Sequence, residues 1–297
     1  MEVIFLGTSG MQPTKYRNLF SVLVSYKTEN ILIDCGEGTQ RQFRIAEISP
    51  NKLTKILITH IHGDHINGLP GLFQNLNANQ YNKVLEIYGP QGTKNLIKHI
   101  LIITNMKNNN LKLKIKEVNQ GAFLKTKDFI LIARQLDHSC KCYGYSIQEL
   151  DKRRINLKYL EKFGLKKHKL LGNLKKGKSI TYNKKKIHAK DATYIQKGKK
   201  LTLITDTSYT EKAVSLAKDS DLLICESTYS KEQKTKAKEY KHMTSEDAAK
   251  IAKKSKSKKL ILTHFSQRYK EVSELEKEAK KIFKNSVIAK DFMKVKV

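Results

Sequence analysis

Four side chains that can bind metal ions lie within six residues of this chain. His60, His62, Asp64 and His65 directly follow the apolar run of residues 55–59, which is typical of a buried strand that ends in a loop. Imidazole and carboxylate groups suit zinc or a similar transition metal, and their density favours more than one ion. The alternative is a polar turn that happens to be rich in histidine, a residue rarely used for turns. The cluster therefore predicts a metal site at a strand end.

Three other apolar runs are also followed by side chains that could bind a metal. The runs are residues 129–133, 201–205 and 260–263, and the candidate ligands that follow them are His138, Asp206 and His264. A single histidine after one strand is more often a hydrogen-bonded core residue. Because α/β folds assemble their sites at the carboxyl edge of a sheet, we expect the four strand ends to meet.

The overall charge indicates a polyanionic partner. The chain has 297 residues, with 58 Lys and Arg against 28 Asp and Glu, and its formal net charge is +30. A positive field of this size favours nucleic acid as the partner. A lysine-biased proteome, which spreads lysine over every solvated face, is the alternative. The length suffices for one large α/β domain with a substantial core.

The cysteine count and the hydropathy pattern exclude two classes of protein. The four cysteines are too few and too scattered for a disulfide framework, so reduced packing residues are expected. No apolar stretch approaches the roughly 18–20 residues of a membrane span, and the N-terminus lacks a basic-then-apolar signal. We therefore expect a soluble, cytoplasmic protein.

The order of the candidate ligands resembles that of the metallo-β-lactamase superfamily, in which an H-x-H-x-D-H cluster precedes a distant His, Asp and His. Several longer motifs are similar to those of one family within it, tRNase Z, the endonuclease that removes the 3′ trailer of precursor tRNA. The resemblance extends from about residue 3 to residue 270. Its motifs are FLGTS at 5–9, PTKYRN at 13–18, DCGEGTQRQ at 34–42, GLPGL at 68–72, CEST at 225–228 and LTHFSQRY at 262–269.

The resemblance implies an α/β fold, the αββα sandwich of the metallo-β-lactamase superfamily. The sequence pattern agrees, since short β-like runs alternate with helical stretches. One helix has a clear start signal, because Thr244 is followed by Glu246 and Asp247 in the first turn. We expect a single metallo-β-lactamase-like domain over residues 1–297, with an inserted basic arm at about 151–188.

The segment at about 151–188 breaks the strand–helix rhythm and is rich in lysine. Residues 151–200 hold 18 Lys and Arg against 3 Asp and Glu, which favours a phosphate-binding surface. On composition alone, a disordered charged loop is an equal alternative. The resemblance implies instead a flexible arm that binds the elbow of tRNA. That arm usually carries a Gly/Pro-rich motif, whereas all four prolines of this chain lie outside the segment.

The resemblance also implies a cofactor, two Zn²⁺ per subunit. The implied ligands are His60, His62 and His138 for one zinc, Asp64, His65 and His264 for the second, and Asp206 as the bridge between the two. A pair of ions shares a water and lowers its pKa from about 15.7 to near 7, so that hydroxide attacks phosphorus. Asp64 is then expected to orient this nucleophile and to accept its proton.

Three further residues have expected roles beside the metals. The resemblance implies that His242, in His-Met-Thr, is the general acid for the leaving 3′ oxygen, with Glu226 as its paired carboxylate. A surface histidine among lysines is the alternative for His242. Asp34 is expected either to fix the tautomer of a ligand histidine or to cap a turn before Gly36.

The motif at 13–18 is expected to contact the substrate. The resemblance implies that its residues Lys15, Arg17 and Asn18 lie at the acceptor end of a precursor tRNA, and that the cut falls after the discriminator base. Arginine offers a bidentate fork for phosphate and lysine a point charge. Arg268 is a further candidate contact. A homodimer is likewise what the resemblance implies.

Three other functions are compatible with parts of the pattern. A hydrolase of small esters, thioesters or phosphodiesters on the same fold would need neither the charge nor the His242–Glu226 pair. A broader RNA nuclease with a large domain between the last two ligands would need more than the 57 residues that separate Asp206 from His264. A non-catalytic RNA-binding descendant would be expected to lose ligands, and all are present.

Overall fold

The computed structural model describes residues 1–106 and 111–297. The strands of these ranges, in chain order, are β1 (Glu2–Gly7), β2 (Ser9–Gly10), β3 (Ser21–Tyr26), β4 (Glu29–Ile33), β5 (Lys55–Leu57), β6 (Val84–Gly89), β7 (Lys112–Glu117), β8 (Gly121–Lys125), β9 (Phe129–Gln135), β10 (Tyr143–Glu149), β11 (Lys152–Ile155), β12 (Ile180–Tyr182), β13 (Lys185–Ile187), β14 (Thr193–Gln196), β15 (Lys200–Ile204), β16 (Leu222–Glu226), β17 (Leu260–Thr263), β18 (Phe265–Ser266), β19 (Ser286–Ile288) and β20 (Lys294–Lys296).

The helices connect these strands and are mostly short. In chain order they are α1 (Thr39–Ile45), α2 (Gly63–Ile66), α3 (Leu69–Ala78), α4 (Thr93–Ile103), α5 (Leu157–Glu161), α6 (Leu171–Lys175), α7 (Ala189–Ala192), α8 (Glu211–Ala217), α9 (Lys234–Glu239), α10 (Ser245–Lys254) and α11 (Ser273–Ile282), with 3₁₀ turns at Pro50–Lys52 and Lys231–Gln233. In the described part of the chain, none of them combines the length and the apolar character that a bilayer crossing requires.

Two seven-stranded sheets form the centre of the molecule. Their strand orders are β20-β1-β3-β4-β5-β6-β7 and β19-β17-β16-β15-β10-β9-β8. Strands β4 to β7 are parallel in the first sheet, and β15, β16, β17 and β19 are parallel in the second. Parallel neighbours end at the same edge of a sheet, so the loops after β5, β15, β16 and β17 can supply one shared site.

Helices cover the outer face of each sheet. A core that includes Tyr145 and Leu203 fills the space between the sheets, while Phe73 of α3 lies in the core outside the first sheet. Ile251 of α10 and Leu275 of α11 lie in the core outside the second. Burying one such side chain stabilises the fold by roughly 1.5–3 kcal/mol. The predicted αββα sandwich is confirmed by these layers.

The segment from β11 to β14, here called the arm, leaves the sandwich after β10 and returns before β15. Its base is the antiparallel pair of β11 with β14, and β12 and β13 form a hairpin within it. A small core of its own contains the buried residues Leu160, Leu174 and Ile187. The segment is therefore folded, unlike the charged loop that composition alone allows. Its last strand, β14, ends at Gln196.

Candidate metal centre

The strand ends bring together all seven residues for which the sequence predicts metal binding. Each residue offers one donor atom, and within each of two sets these atoms lie within 4.8 Å of one another. Short helix α2 follows the loop after β5 and turns two of the side chains back towards the sheet edge. The first set is His60, His62, His138 and Asp206, and the second is Asp64, His65, Asp206 and His264.

In the first set, three imidazole nitrogens face a common point. His62 Nδ1 lies 3.1 Å from His60 Nε2 and 3.3 Å from His138 Nε2. The Asp206 Oδ2 atom lies 3.5 Å from His60 Nε2. Burial lowers the pKa of His60 well below its usual value, so the imidazole is neutral, which is the form that binds metals.

In the second set, the nitrogens of two histidines face two carboxylates. His65 Nε2 and His264 Nε2 are 3.2 Å apart, and Asp64 Oδ2 lies 3.4 Å from His65 Nε2. The two oxygens of Asp206 reach both histidines, with Oδ2 3.3 Å from His65 and Oδ1 3.2 Å from His264. Asp206 Oδ1 is buried without a hydrogen bond of acceptable geometry. Asp206 thus belongs to both sets.

These distances fit divalent transition-metal ions. Neutral imidazoles that point unprotonated nitrogens at one another repel, and a cation between them removes that cost. A tetrahedral ion with metal–nitrogen bonds of about 2.0–2.1 Å would separate its nitrogen ligands by roughly 3.3 Å. The nitrogen pairs His60–His62, His62–His138 and His65–His264 are 3.1, 3.3 and 3.2 Å apart.

The buried carboxylate of Asp34 fixes the orientations of two predicted ligand histidines, His65 directly and His60 through Thr59. Asp34 is fully buried and accepts hydrogen bonds from Thr59 N and Thr59 Oγ1, each at 2.7 Å. Its Oδ2 lies 2.7 Å from His65 Nδ1, and Thr59 Oγ1 lies 3.0 Å from His60 Nδ1. With both Nδ1 atoms engaged, the Nε2 atoms of His60 and His65 remain for an ion. This geometry favours the first of the two expected roles of Asp34.

Two more of the predicted ligand histidines, His138 and His264, are oriented by groups that sequence reasoning did not single out. Thr228 Oγ1 donates to Glu226 Oε2 at 2.6 Å and lies 3.1 Å from His264 Nδ1. His138 Nδ1 lies 3.1 Å from the carbonyl oxygen of Lys241. Thr228 lies within the CEST motif, so its hydroxyl two positions after Glu226 was the one signal in the sequence. No feature of the sequence indicated the contact between the Lys241 carbonyl oxygen and His138.

The half-buried His242 and the fully buried Glu226 form a pair at the rim of the metal donor sets. His242 Nδ1 lies 3.1 Å from Glu226 Oε1, and the carboxylate also accepts from Thr207 N at 2.7 Å and Met243 N at 3.2 Å. Burial alone would lower the pKa of His242, but the carboxylates of Glu226 and Asp206 outweigh it and raise the pKa to about 9. The imidazole is therefore positioned as a cation at neutral pH.

A cavity of about 680 Å³ opens over the centre, and one of the predicted substrate contacts lines it. Arg268 lines this cavity, with its guanidinium 5.1 Å from the centre of the Tyr229 ring. Lys236, Tyr240 and Gln267 also line it. Sequence reasoning gave none of the three a role: Lys236 and Tyr240 lie outside the quoted motifs, and Gln267 lies within LTHFSQRY without a role of its own. The cavity thus joins the metal donors to an arginine and two aromatic rings.

The predicted contacts in the 13–18 loop are placed differently from one another. Lys15 is exposed. Arg17 is buried, and its Nη2 donates to the carbonyl oxygen of Tyr269 at 2.7 Å. Asn18 Nδ2 donates to the carbonyl oxygen of Glu37 at 2.9 Å. The structure thus uses Arg17 and Asn18 to tie the loop to neighbouring backbone, which leaves Lys15 as the exposed cation of the three.

Comparisons with known proteins define the class of this fold and site. The sequence model of the metallo-β-lactamase superfamily matches residues 17–93, and that of the β-lactamase superfamily domain matches residues 189–265. Among solved structures, human tRNase Z, short form, is similar with a TM-score of 0.72 and 27% identity, covering 100% of this chain and 99% of that chain. The protein is a metal-dependent hydrolase of the metallo-β-lactamase fold.

Curated relatives narrow the class to one family. Ribonuclease Z of Nanoarchaeum equitans is 42% identical over 267 residues, which are 90% of this chain and 84% of the relative. Ribonuclease Z of Bacillus subtilis is 37% identical over 306 residues, covering 100% of this chain and 99% of the relative. The chain belongs to the ribonuclease Z family and is an endoribonuclease. The resemblance drawn from the motifs is confirmed at this level.

Proposed function

We propose that this protein removes the 3′ trailer of precursor tRNA, with a single cut after the discriminator base. The cut leaves a 3′-OH on the tRNA and a 5′-phosphate on the trailer. The observation that carries the proposal is the His242–Glu226 pair, with its 3.1 Å contact, beside two converging sets of metal donors. A hydrolase of small esters would not need a histidine and glutamate pair that supplies a proton to the leaving oxygen. The names of the relatives, ribonuclease Z and tRNase Z, support the substrate class.

The proposed cofactor is two Zn²⁺ per subunit, one in each donor set, with Asp206 shared. Bound there, the ions would supply Lewis acidity and an activated water at neutral pH. Asp64 is proposed to orient the attacking water and to accept its proton. Its Oδ2 is itself held by a hydrogen bond of 2.7 Å from Met11 N, which keeps the carboxylate aimed at the centre.

The leaving oxygen needs a proton, and His242 is proposed to donate it. Water attacks phosphorus, the bond from phosphorus to the 3′ oxygen breaks, and that oxygen takes the proton from the imidazolium. Because Glu226 holds Nδ1, the proton available to substrate is on Nε2. General acid catalysis of this kind contributes typically 10²- to 10⁴-fold. Glu226 acts as a positioning residue, since it contacts the imidazole and lies fully buried.

The remaining expectations concern the partner and its surroundings. Lys15 is proposed to contact the acceptor end, with Arg17 and Asn18 shaping the loop that presents it, and Arg268 is proposed to contact the substrate in the cavity that it lines. The arm is proposed to bind tRNA away from the cut, through its lysines. The active form is proposed to be a homodimer in the cytoplasm.

The test uses purified protein, zinc and an end-labelled precursor tRNA with a 3′ trailer. Wild type is compared with Asp64→Ala, His242→Ala and a control, His99→Ala, which changes an exposed histidine on α4. We expect wild type to make a single cut after the discriminator base. Asp64→Ala should make no cut, His242→Ala should cut slowly, and His99→Ala should cut as wild type does. No cut of precursor tRNA by wild type that hydrolyses a small ester or thioester would overturn the substrate assignment.

A further inference from the structure

A second cavity of about 730 Å³ lies next to the catalytic cavity and has no assigned role. Helix α9 and the residues that follow it separate the two. Among the described residues, His242 lines both cavities, and none of the metal ligands lines the second one. We call this second cavity the lysine groove, because its lining includes Lys234, Lys238, Lys241, Lys250 and Lys254.

The lysine groove has more lysines than its own carboxylates can neutralise, so its net charge is positive. Asp137 and Asp247 are its acidic lining residues, against the five lysines. Lys241 and Lys250 are paired with these two carboxylates, at 3.1 and 3.2 Å. Lys254 is paired with Glu211, at 2.9 Å. The positive charge that these carboxylates do not offset lies on α9, along one side of the groove, where it would attract a polyanion.

Lys234 and Lys238 of α9 carry that remaining charge. Both are exposed, and within the described residues neither has a carboxylate at ion-pair distance. They are one helical turn apart, so their side chains lie on the same side of α9. The Cβ atoms of residues one helical turn apart are about 5–6 Å from each other, so the two ammonium groups can contact neighbouring phosphates of one nucleic-acid strand.

The position of His242 indicates which part of the RNA lies in this groove; this step rests on the proposed function. If His242 donates a proton to the leaving 3′ oxygen, that oxygen lies against the imidazole. The 3′ oxygen belongs to the nucleotide on the 5′ side of the cut. The metal donors lie on the other side of His242, where the phosphate that stays with the trailer must be held. The chain that leads away from the 3′ oxygen is then directed to the lysine groove.

We propose that the lysine groove binds the phosphate backbone of the RNA that keeps the new 3′-OH, and that Lys234 and Lys238 are the main residues that bind it. The trailer leaves through the first cavity instead. The two products of the reaction therefore bind on opposite sides of His242, and only the RNA with the new 3′-OH depends on Lys234 and Lys238.

The test measures how each product, added separately, inhibits cleavage of a precursor. One inhibitor is mature tRNA with a 3′-OH, and the other is a trailer oligonucleotide with a 5′-phosphate. The variant is Lys234→Gln/Lys238→Gln, and its match is Lys281→Gln/Lys284→Gln, which removes the same charge from exposed positions at the end of α11. Thermal unfolding and bound zinc verify that each variant keeps its fold and its centre.

For the α9 variant we expect inhibition by mature tRNA to weaken by roughly tenfold. The slope of log affinity against log salt should become shallower by about one for each phosphate that the groove no longer neutralises. Inhibition by the trailer should stay within twofold, and the α11 variant should match wild type for both inhibitors. Weaker inhibition by the trailer alone would overturn the assignment, and so would equal weakening in the two variants. Wild type that cuts no precursor would instead refute the proposed function.

Discussion

The metal centre and the arm belong to one chain but are built in opposite ways. Donor atoms in the centre come from loops after β5, β9, β15 and β17, and most ligand histidines have their second nitrogen engaged by a buried or backbone partner. The arm has a core of few apolar residues under a lysine-covered surface. The chemistry of the centre therefore depends on fixed side-chain positions. The binding role proposed for the arm depends instead on the positive charge of its lysines and on its extension from the sandwich.

The largest effect is expected when the shared ligand is removed. Asp206→Ala takes an oxygen from both donor sets, so turnover should fall on the order of a thousandfold or more, and bound metal should fall at both positions. Turnover of precursor tRNA and metal content per subunit measure this. The matched change Asp191→Ala, at an exposed carboxylate of the arm, should leave metal content unchanged. Retention of metal by Asp206→Ala would show that the two donor sets are independent of it.

Removing the arm should separate binding from chemistry. A short Gly/Ser linker that joins Ile155 to Thr193, which are paired partners of β11 and β14, removes the part of the arm beyond these two strands without opening the cores of the sandwich. We expect kcat/KM for precursor tRNA to fall by roughly a hundredfold, because the lysines of the arm no longer neutralise phosphates of the substrate. Turnover of bis(p-nitrophenyl) phosphate should change by less than about twofold. Equal decreases on both substrates would place the arm within the chemistry.

The His242–Glu226 pair should be visible in the pH profile. An imidazolium that donates a proton is active below its pKa, and activity is lost as the pH rises through that value. The carboxylates of Glu226 and Asp206 overcome burial and raise the pKa of His242 to about 9. Glu226→Gln removes one charge, so the alkaline limb of kcat/KM should move to lower pH.

Profiles from about pH 6 to about pH 10 for wild type, Glu226→Gln and Glu226→Asp measure this shift around the ordinary histidine value. Rescue of the limb by Glu226→Asp would identify the charge as the cause. An alkaline limb that stays in place in Glu226→Gln would contradict the pairing as the source of the raised pKa.

The smallest effect on chemistry is expected from a change in the core of the arm. Leu174 is fully buried there, so Leu174→Ala should destabilise the arm by about 2–5 kcal/mol. Hydrogen exchange should rise within residues 152–196 and stay unchanged in β15 to β17. Faster exchange in both regions would mean that the two cores unfold as one.

The sequence predicted the sandwich better than the arm, for a physical reason. The continuous apolar run at residues 129–133 predicted strand β9, which is observed at Phe129–Gln135, and Thr244 precedes α10 with the capping box that Glu246 and Asp247 indicate. The arm buries single apolar residues that stand among lysines, such as Leu160 and Leu174. Its sequence therefore has neither a periodic apolar pattern nor a continuous apolar run. Helix α1 likewise has no apolar period, since Phe43 is its one buried large apolar side chain.

The site was predictable to the extent that its residues follow strands. The seven proposed ligands come together because each lies just past an apolar run. Contacts of Arg17 with carbonyl oxygens about 250 positions away could not be read from spacing. Neither could the hydrogen bond from Thr228 to Glu226, which depends on how the chain turns directly after β16.

The most direct test of the central claim is a crystal structure of the zinc-loaded protein, with anomalous diffraction measured on both sides of the zinc edge. The account predicts two anomalous peaks per subunit about 3.5–4 Å apart, one in each donor set, with Asp206 between them. A single peak, or peaks bound by residues outside these seven, would contradict it.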